Sequence, residues 1–479
     1  MSNTILAIDI GTINVTAVIA KNDYDTINIL GTGTAPSEGI NKGSIINIDK
    51  ASSCIKAAAD SAKRSFGQDV DETIVSISGT STRSIRSSGS INIPNGQITP
   101  NEIKLVLETA LYNSTIVPDY EVIHVIPIYF KVDDANEVKN PLDMNGSRLD
   151  VSVFIVTARK TALINIQSAL SNANIEVTNF VLSGYASALS VLEDEQRNLG
   201  VAVIDLGGST TEVSLFKGNA IIYNDFLPIG SVNITKDLSI MLHTPMNAAE
   251  EVKTKYGSLK PIDPNDTNSI KRIKIPMIGD EQNLSEQSLD RIGLIIHARV
   301  EETLCMIKDN MYSSGINETI NAGIVLTGGM SKLPGIKQLA SAIFGDIPIK
   351  VANPFNIKNG WMSFDDQTMA TIVGLIFYGL NKNTTFELDS NRKLRYYKQQ
   401  PRPAVIQPNA TNSAPKQVRQ QTVNQTVATK PTQQAQTPSQ KAVKPNIEPN
   451  SGLGIELPQD DKTKQKGLSK LFTKISEWF

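Results

Sequence analysis

Two aspartates are the residues of this chain best placed to do chemistry on a charged ligand. Each closes an apolar run and is followed two positions later by glycine. Asp9 lies in Ala7-Ile8-Asp9-Ile10-Gly11-Thr12, and Asp205 in Val203-Ile204-Asp205-Leu206-Gly207-Gly208-Ser209-Thr210. Each run reads as a buried strand that ends at an acid. The glycine turn after it exposes backbone N–H groups, as a phosphate requires, and the acid suits a hydrated Mg²⁺. A third motif, Ile324-Val325-Leu326-Thr327-Gly328-Gly329-Met330, ends in a Gly-Gly turn that lets a ligand approach the backbone closely. Any one such turn is ordinary punctuation. Their order says more, because the two Asp turns stand about two hundred residues apart. That spacing suggests a duplicated strand unit whose copies face a shared cleft, with the third turn closing it. The expected ligand is a nucleotide.

The elements that must position these turns follow from composition. Residues 1–385 alternate β-branched runs with helical patterns, whereas residues 398–459 are rich in Gln, Pro, Thr, Asn and Ala and cannot bury enough apolar surface to fold. As a flexible chain that stretch would span roughly 45 Å. Beyond it, Leu468, Leu471, Phe472, Ile475, Trp478 and Phe479 form one apolar stripe at helical pitch, with Lys470 and Lys474 on the other face. The stripe is too short to span a bilayer and suits a helix lying in the membrane interface. Lys462, Lys464 and Lys466 precede it at the end where a helix dipole prefers acids, so anionic headgroups explain them better. The other reading of this stripe is docking on a partner protein or on the body.

The 479 residues are enough for more than one domain, and the 46 basic and 48 acidic side chains give no global sign of nucleic acid binding. Cys54 and Cys305 are too few for a disulfide framework and fit a reducing compartment. The opening MSNTILAIDIG carries an acid in its apolar run and is not read as a secretory signal. His124, His243 and His297 lack metal-ligand spacing and are expected to be structural.

The three turns resemble the two phosphate loops and the adenosine motif of the actin and heat-shock-chaperone ATPase superfamily. Residues 227–257 (LPIGSVNITKDLSIMLHTPMNAAEEVKTKYG) resemble the stretch that opens the fourth subdomain of the FtsA family of bacterial cell-division proteins. Residues 123–158 resemble the insert that family carries in place of actin's small subdomain. Residues 291–302 resemble its adenine-side helix, and the tail resembles its membrane-targeting helix. The resemblance covers residues 1–385 and 467–479.

It implies an α/β, actin-like two-lobed ATPase fold with duplicated βββαβα-type subdomains, an FtsA-type insert, a disordered linker and a C-terminal amphipathic helix. Subdomain 1A would hold residues 1–82, 162–195 and a closing helix in 365–385, and the insert, 1C, would hold 83–161. Subdomain 2A would hold 196–233 and 297–364, around 2B at 234–296. Residues 386–466 would be linker and 467–479 the membrane helix. ATP and Mg²⁺ would sit between the lobes. Gly11, Thr12, Asn14, Gly207, Gly208, Ser209 and Thr210 would hold phosphates, with Gly230 beside them. Asp9 and Asp205 would orient Mg²⁺ through its waters. Gly328, Gly329 and Met330 would pack on the adenosine, with Arg299 and Glu302 flanking purine and ribose. Without the resemblance, Arg299 and Glu302 read equally well as an i, i+3 ion pair on an exposed helix face.

The implied partners are the tubulin-like protein FtsZ, whose C-terminal peptide would bind 2B, further copies of the chain in actin-like filaments, anionic lipids, and other division proteins through 1C. The implied location is the cytoplasmic face of the inner membrane at the division site, with membrane contact made by Leu468, Lys470, Leu471, Phe472, Lys474, Ile475, Trp478 and Phe479. A pilus-assembly protein of the same fold is the alternative; a small-molecule kinase or a folding chaperone is the more distant one. Two departures stand out. Asn14 occupies a place where the family commonly has Lys, so a point charge on the terminal phosphates is missing. Residues 181–188 (VLSGYASA) lack the Glu or Gln that usually positions the attacking water, so ATP is expected to bind and to be hydrolysed slowly or not at all.

Overall fold

The computed structural model describes residues 4–23, 26–218, 220–260, 272–357, 363–381 and 386–396. The Gln- and Pro-rich stretch from 397 on and the amphipathic segment 467–479 lie outside the described residues.

Apolar β-branched runs make the strands, and two five-stranded sheets result. In the first, Thr4–Ile10, Asn14–Asp23 and Thr26–Pro36 form an antiparallel meander, and Glu72–Ile77 then Asn179–Leu182 add in parallel on the other side of the first strand. In the second, Val201–Leu206, Thr211–Lys217 and Ala220–Leu227 form the meander, and Ile324–Thr327 then Ile349–Val351 add in parallel. The strand order is the same in both when each is counted along the chain. The sequence is therefore built from two copies of one unit, with the acids Asp9 and Asp205 at matching positions near the ends of the two first strands. Parallel additions need crossovers, and helices such as Ile48–Phe66 and Lys160–Asn172 supply them for the first sheet.

Each unit has its own core, and a third core lies in the insert. The helix Ala370–Gly379, which follows the last strand of the second sheet, returns to the first lobe and is buried on nearly every side. It crosses Ser183–Val191 so closely that a Cβ on Gly374 would stand 1.8 Å from the Ala186 carbonyl oxygen. Among the described residues no helix is long and apolar enough to cross a membrane.

The insert leaves the first sheet after Glu72–Ile77. Its strands Thr82–Asn92, Tyr120–Val132 and Arg148–Arg159 pair antiparallel. The helix Pro100–Tyr112 covers them and starts at a capping box in which Thr99 and Glu102 bond each other's ends. Two further strands complete this sheet from an unexpected direction. Glu387–Leu388 and Leu394–Arg395 pair with each other, and Leu388 pairs with Val125 of the insert.

The expectation that a disordered linker begins at 386 is therefore corrected: residues 386–396 are folded. Composition misled because the polar side chains of this segment find partners inside. Glu387 is fully buried. It accepts from Tyr378 Oη at 2.5 Å and Tyr185 Oη at 3.2 Å, and meets His124 Nδ1 at 3.1 Å. Arg395 donates to the Tyr378 carbonyl at 2.8 Å and lies over the Tyr378 ring. The Asn179 amide reaches Asp389 Oδ2 at 2.9 Å. Buried polar groups are tolerated when satisfied in this way.

Candidate functional site

The ends of the two first strands open into a cavity of about 570 Å³ between the sheets, a volume suited to a nucleotide-sized ligand. Asp9, Gly11, Thr12 and Asn14 line it from the first lobe. Asp205, Gly207, Gly208 and Thr210 line it from the second, and Gly328, Gly329 and Met330 complete the wall. The structure thus brings together most of the residues singled out in the sequence.

The rest stand elsewhere, for physical reasons. Ser209 is buried and does not line the cavity. Gly230 lies behind the second Asp turn. A Cβ there would come within 2.5 Å of the Gly208 carbonyl oxygen, so only glycine lets the helix Ser231–Leu242 start against that turn. Val232 N–H then donates to that same carbonyl at 2.8 Å.

Arg299 and Glu302 are not among the residues that line this cavity. Asp237 on the neighbouring helix takes the Arg299 guanidinium with two hydrogen bonds, 2.6 and 3.0 Å, and Glu302 takes a third at 2.5 Å. The i, i+3 pair read from spacing is what the helix displays, tied to a second helix.

The two aspartates are differently held. Asp9 Oδ1 accepts from Ser76 Oγ at 2.8 Å. Burial pushes its carboxyl up to about 6, against the lowering effect of that bond and with a further upward push from Asp205. Asp205 Oδ2 accepts from Ser187 Oγ at 2.5 Å and from Thr371 Oγ1 at 3.5 Å; burial raises its pKa as well. Gly328 shows why this wall needs glycine. Its φ is +83°, and a Cβ would stand 2.3 Å from Asp205 Oδ1.

Several residues of the cleft escaped the sequence reading. Glu212 faces Asp205 across the antiparallel pair and is buried. Its Oε1 accepts from Ser78 Oγ and from Gly79 N–H, both at 2.9 Å. Its Oε2 lies against Gly184, whose backbone N–H also hydrogen-bonds this carboxylate. Burial pushes this carboxyl up to about 7. At the other end, Lys253 donates to Glu250 at 2.6 Å, Thr235 Oγ1 at 2.9 Å and the Ser231 carbonyl at 3.1 Å, and both Lys253 and Glu250 line the cavity. Lys332, beside Met330, is held by Asp366 at 2.6 Å. The helical run AEEVKTKYG carried a signal for the first pair, two charged residues three apart on one face. Glu212 had only its position on a strand after the second turn.

The cavity combines N–H-rich glycine turns with three carboxylates, Glu212 buried and Asp9 and Asp205 half-buried, and its two lysines are neutralised by acids. A ligand there must bring cations or donors of its own. Hydrated Mg²⁺ fits this donor set, since Asp9, Asp205 and Glu212 are carboxylates that line one cavity.

Comparison with known proteins agrees with the architecture. Residues 202–374 match the family described as cell division protein FtsA, and residues 79–157 match the SHS2 domain inserted in FtsA. The FtsA of Helicobacter pylori is 34% identical over 420 residues, 82% of this chain and 85% of that protein. The FtsA of Pseudomonas aeruginosa is 32% identical over 84% of this chain and 95% of its own length, and that of Bacillus subtilis 33% over 78% and 82%. Among solved structures, the PilM-PilN type IV pilus biogenesis complex aligns with a TM-score of 0.55 at 16% identity, covering 78% of this chain and 98% of that one, which establishes a shared fold alone. With the duplicated actin-like lobes, the SHS2 insert and these relatives, the chain belongs to the FtsA family of bacterial cell-division proteins.

Proposed function

We propose that this division protein binds ATP with Mg²⁺ in the cleft, assembles head to tail, and tethers FtsZ to the inner membrane through its C-terminal helix. The observation that carries the nucleotide reading is the pair of matching Asp–Gly turns facing one cavity from two copies of the same sheet. Gly11, Thr12, Asn14, Gly207, Gly208 and Thr210 supply donors to the phosphates. Asp9 and Asp205 hold the hydrated cation, and Met330, Lys253 and Glu250 take the nucleoside end. Mg²⁺ supplies charge neutralisation of the phosphates when bound; the protein's part is to hold its waters and exclude bulk solvent.

Slow hydrolysis remains the expectation. Residues 183–188 offer hydroxyls and no carboxylate, and Ser187 is already engaged by Asp205. Glu212, beside Gly184, is the other acid at this stretch, and its raised pKa leaves it partly protonated at neutrality. Phosphate release should stay below about one per second, the low end of ordinary turnover.

The FtsZ peptide is assigned to the second lobe's outer helices and hairpin. Met241, Ile278, Leu284 and Leu294 are exposed there. Ile278 N–H bonds the His243 carbonyl, and Arg291 Nη2 bonds the Met241 carbonyl at 2.8 Å, which draws helix, hairpin and the start of helix Leu289–Ser313 together. An apolar face with an arginine in it suits a peptide with apolar anchors and acidic groups.

The test is co-sedimentation with anionic vesicles, using the full chain and a chain lacking 467–479, in ATP and ADP, with and without FtsZ. FtsZ that pellets only with the full chain, and best in ATP, supports the tether. Nucleotide binding without any response of vesicles or FtsZ would shift the reading to a pilus-type recruiter.

A further inference from the structure

The two copies of the sheet unit hold their matching acids in different ways. Asp9 takes a hydroxyl from Ser76, on a strand of its own sheet. Asp205 takes two hydroxyls from the other lobe. Ser187 Oγ donates to Asp205 Oδ2 at 2.5 Å, Thr371 Oγ1 reaches the same oxygen at 3.5 Å, and the two hydroxyls lie 3.0 Å from each other. Strand alternation explains this, because Val201 and Val203 pack into the first lobe's core and Asp205 continues that face of its strand. Its other oxygen, Oδ1, lies against the Gly328 turn in the cavity wall. Ser187 stands on Ser183–Val191, a helix that precedes the chain's first passage between lobes, and Thr371 on Ala370–Gly379, the helix that follows its return. These are the two helices whose crossing at Ala186 and Gly374 leaves no room for a Cβ. Ser187 follows Ala186 directly, and Thr371 lies three residues before Gly374 on the same helical face. The second passage is tied to the first as well: Phe355 N–H donates to the Ser190 carbonyl at 2.8 Å, and Ser190 Oγ donates to the Ser187 carbonyl at 2.7 Å.

A carboxylate that serves a cation is aimed by the groups that fix its rotamer, and removing such a group typically costs about ten- to a hundredfold in metal affinity. Ser187 is fully buried, so its hydroxyl has no bulk water to turn to and stays committed to the carboxylate. We propose that Ser187 and Thr371 are positioning residues for Asp205: they aim its carboxylate at the divalent cation of a bound nucleotide, and through them that cation braces the crossing of the two helices that join the lobes. This rests on the nucleotide reading above. Asp9 has no such reach, because its hydroxyl partner lies on the neighbouring strand of its own sheet. With the cation bound, Asp205 is held from the cavity side as well as by the helices, so both helices should open less often.

The test compares wild type, Ser187→Ala, Thr371→Val and Thr371→Ser as full-length proteins. ATP affinity is titrated with Mg²⁺ and with EDTA, and amide hydrogen exchange is followed across residues 183–191 and 370–379 in both conditions. In the wild type Mg²⁺ should tighten ATP binding and add protection to both helices. Ser187→Ala should cut the gain from Mg²⁺, the ratio of the two affinities, by about tenfold. Thr371→Val, which loses the longer bond, should cut it by about threefold. Both should lose much of the added protection, and Thr371→Ser, which keeps the hydroxyl, should retain ratio and protection alike. A merely structural role would lower the two affinities together and leave their ratio alone, and that result overturns the proposal. So does added protection confined to one helix, or a wild type that binds ATP equally well with and without Mg²⁺. If Ser187→Ala fails to fold, the two Thr371 variants decide. A wild type that binds ATP in neither condition overturns the nucleotide reading itself.

Discussion

Three carboxylates that line the cleft, Glu212 buried and Asp9 and Asp205 half-buried, set its behaviour at the scale of single residues. Asp9 and Glu212 have carboxyls pushed up to about 6 and about 7 by burial. Both hold their protons more tightly folded than unfolded. The stability they contribute is complete below the ordinary carboxylate range and is lost as pH rises through about 6 and then about 7. Glu212→Gln should therefore leave nucleotide-free stability nearly unchanged at pH 4 and raise it by up to about 3 kcal/mol at pH 8, read from denaturant midpoints at the two pH values. Nucleotide binding runs the other way, because the cation needs ionised acids. Mg-ATP affinity should rise from pH 5.5 to 8 in the wild type, and Asp9→Asn should flatten the lower part of that rise. The Asp turns were legible because strand, acid and glycine are adjacent in sequence. Glu212 was not, since its role arises where strands from distant segments meet, and the Glu250–Lys253 pair was legible only as a helical ion pair, not as part of the cleft. Arg299 shows the same limit: its spacing to Glu302 was legible, while its bond to Asp237 on another helix was not.

At the scale of elements, the duplicated sheets could be read from alternating apolar runs, while the strap at 386–396 could not. It holds two strands of two residues each, too short for any periodic signal, and its stability comes from side chains that look like surface residues. Glu387→Ala would leave two tyrosine hydroxyls and the His124 ring without their acceptor in a buried site. Thermal and denaturant unfolding should show a loss of about 3–5 kcal/mol, as for other buried pairs broken from one side. Glu387→Gln, which keeps an acceptor, should lose less. A chain stopped after 396 should melt close to the full-length protein, whereas one stopped after 385 should be markedly less stable. Equal melting of the two would show that the strap adds nothing.

On the proposed function, the whole molecule would combine a weak foot with a body able to stack. Six apolar side chains at ~1.5–3 kcal/mol each at full burial, less the cost of ordering a short helix, make a reversible anchor. Linked copies bind far more tightly than one, without new contacts. Vesicle binding should therefore rise steeply with protein concentration in ATP and only in proportion to it in ADP. A linear dependence in both would remove assembly from the mechanism.

The strap also decides where a pull on the tail is felt. The chain that continues toward the membrane segment departs from the edge of the insert's sheet, not from the closing helix Ala370–Gly379. Load applied along it falls first on two short strands and the ionic cluster around Glu387 and Arg395. If they peel, the lobes stay intact and residues 386–396 pay out as extra tether, about 35 Å at ~3.3 Å per residue. The fold thus carries slack in reserve, a fuse between the folded body and whatever holds its tail.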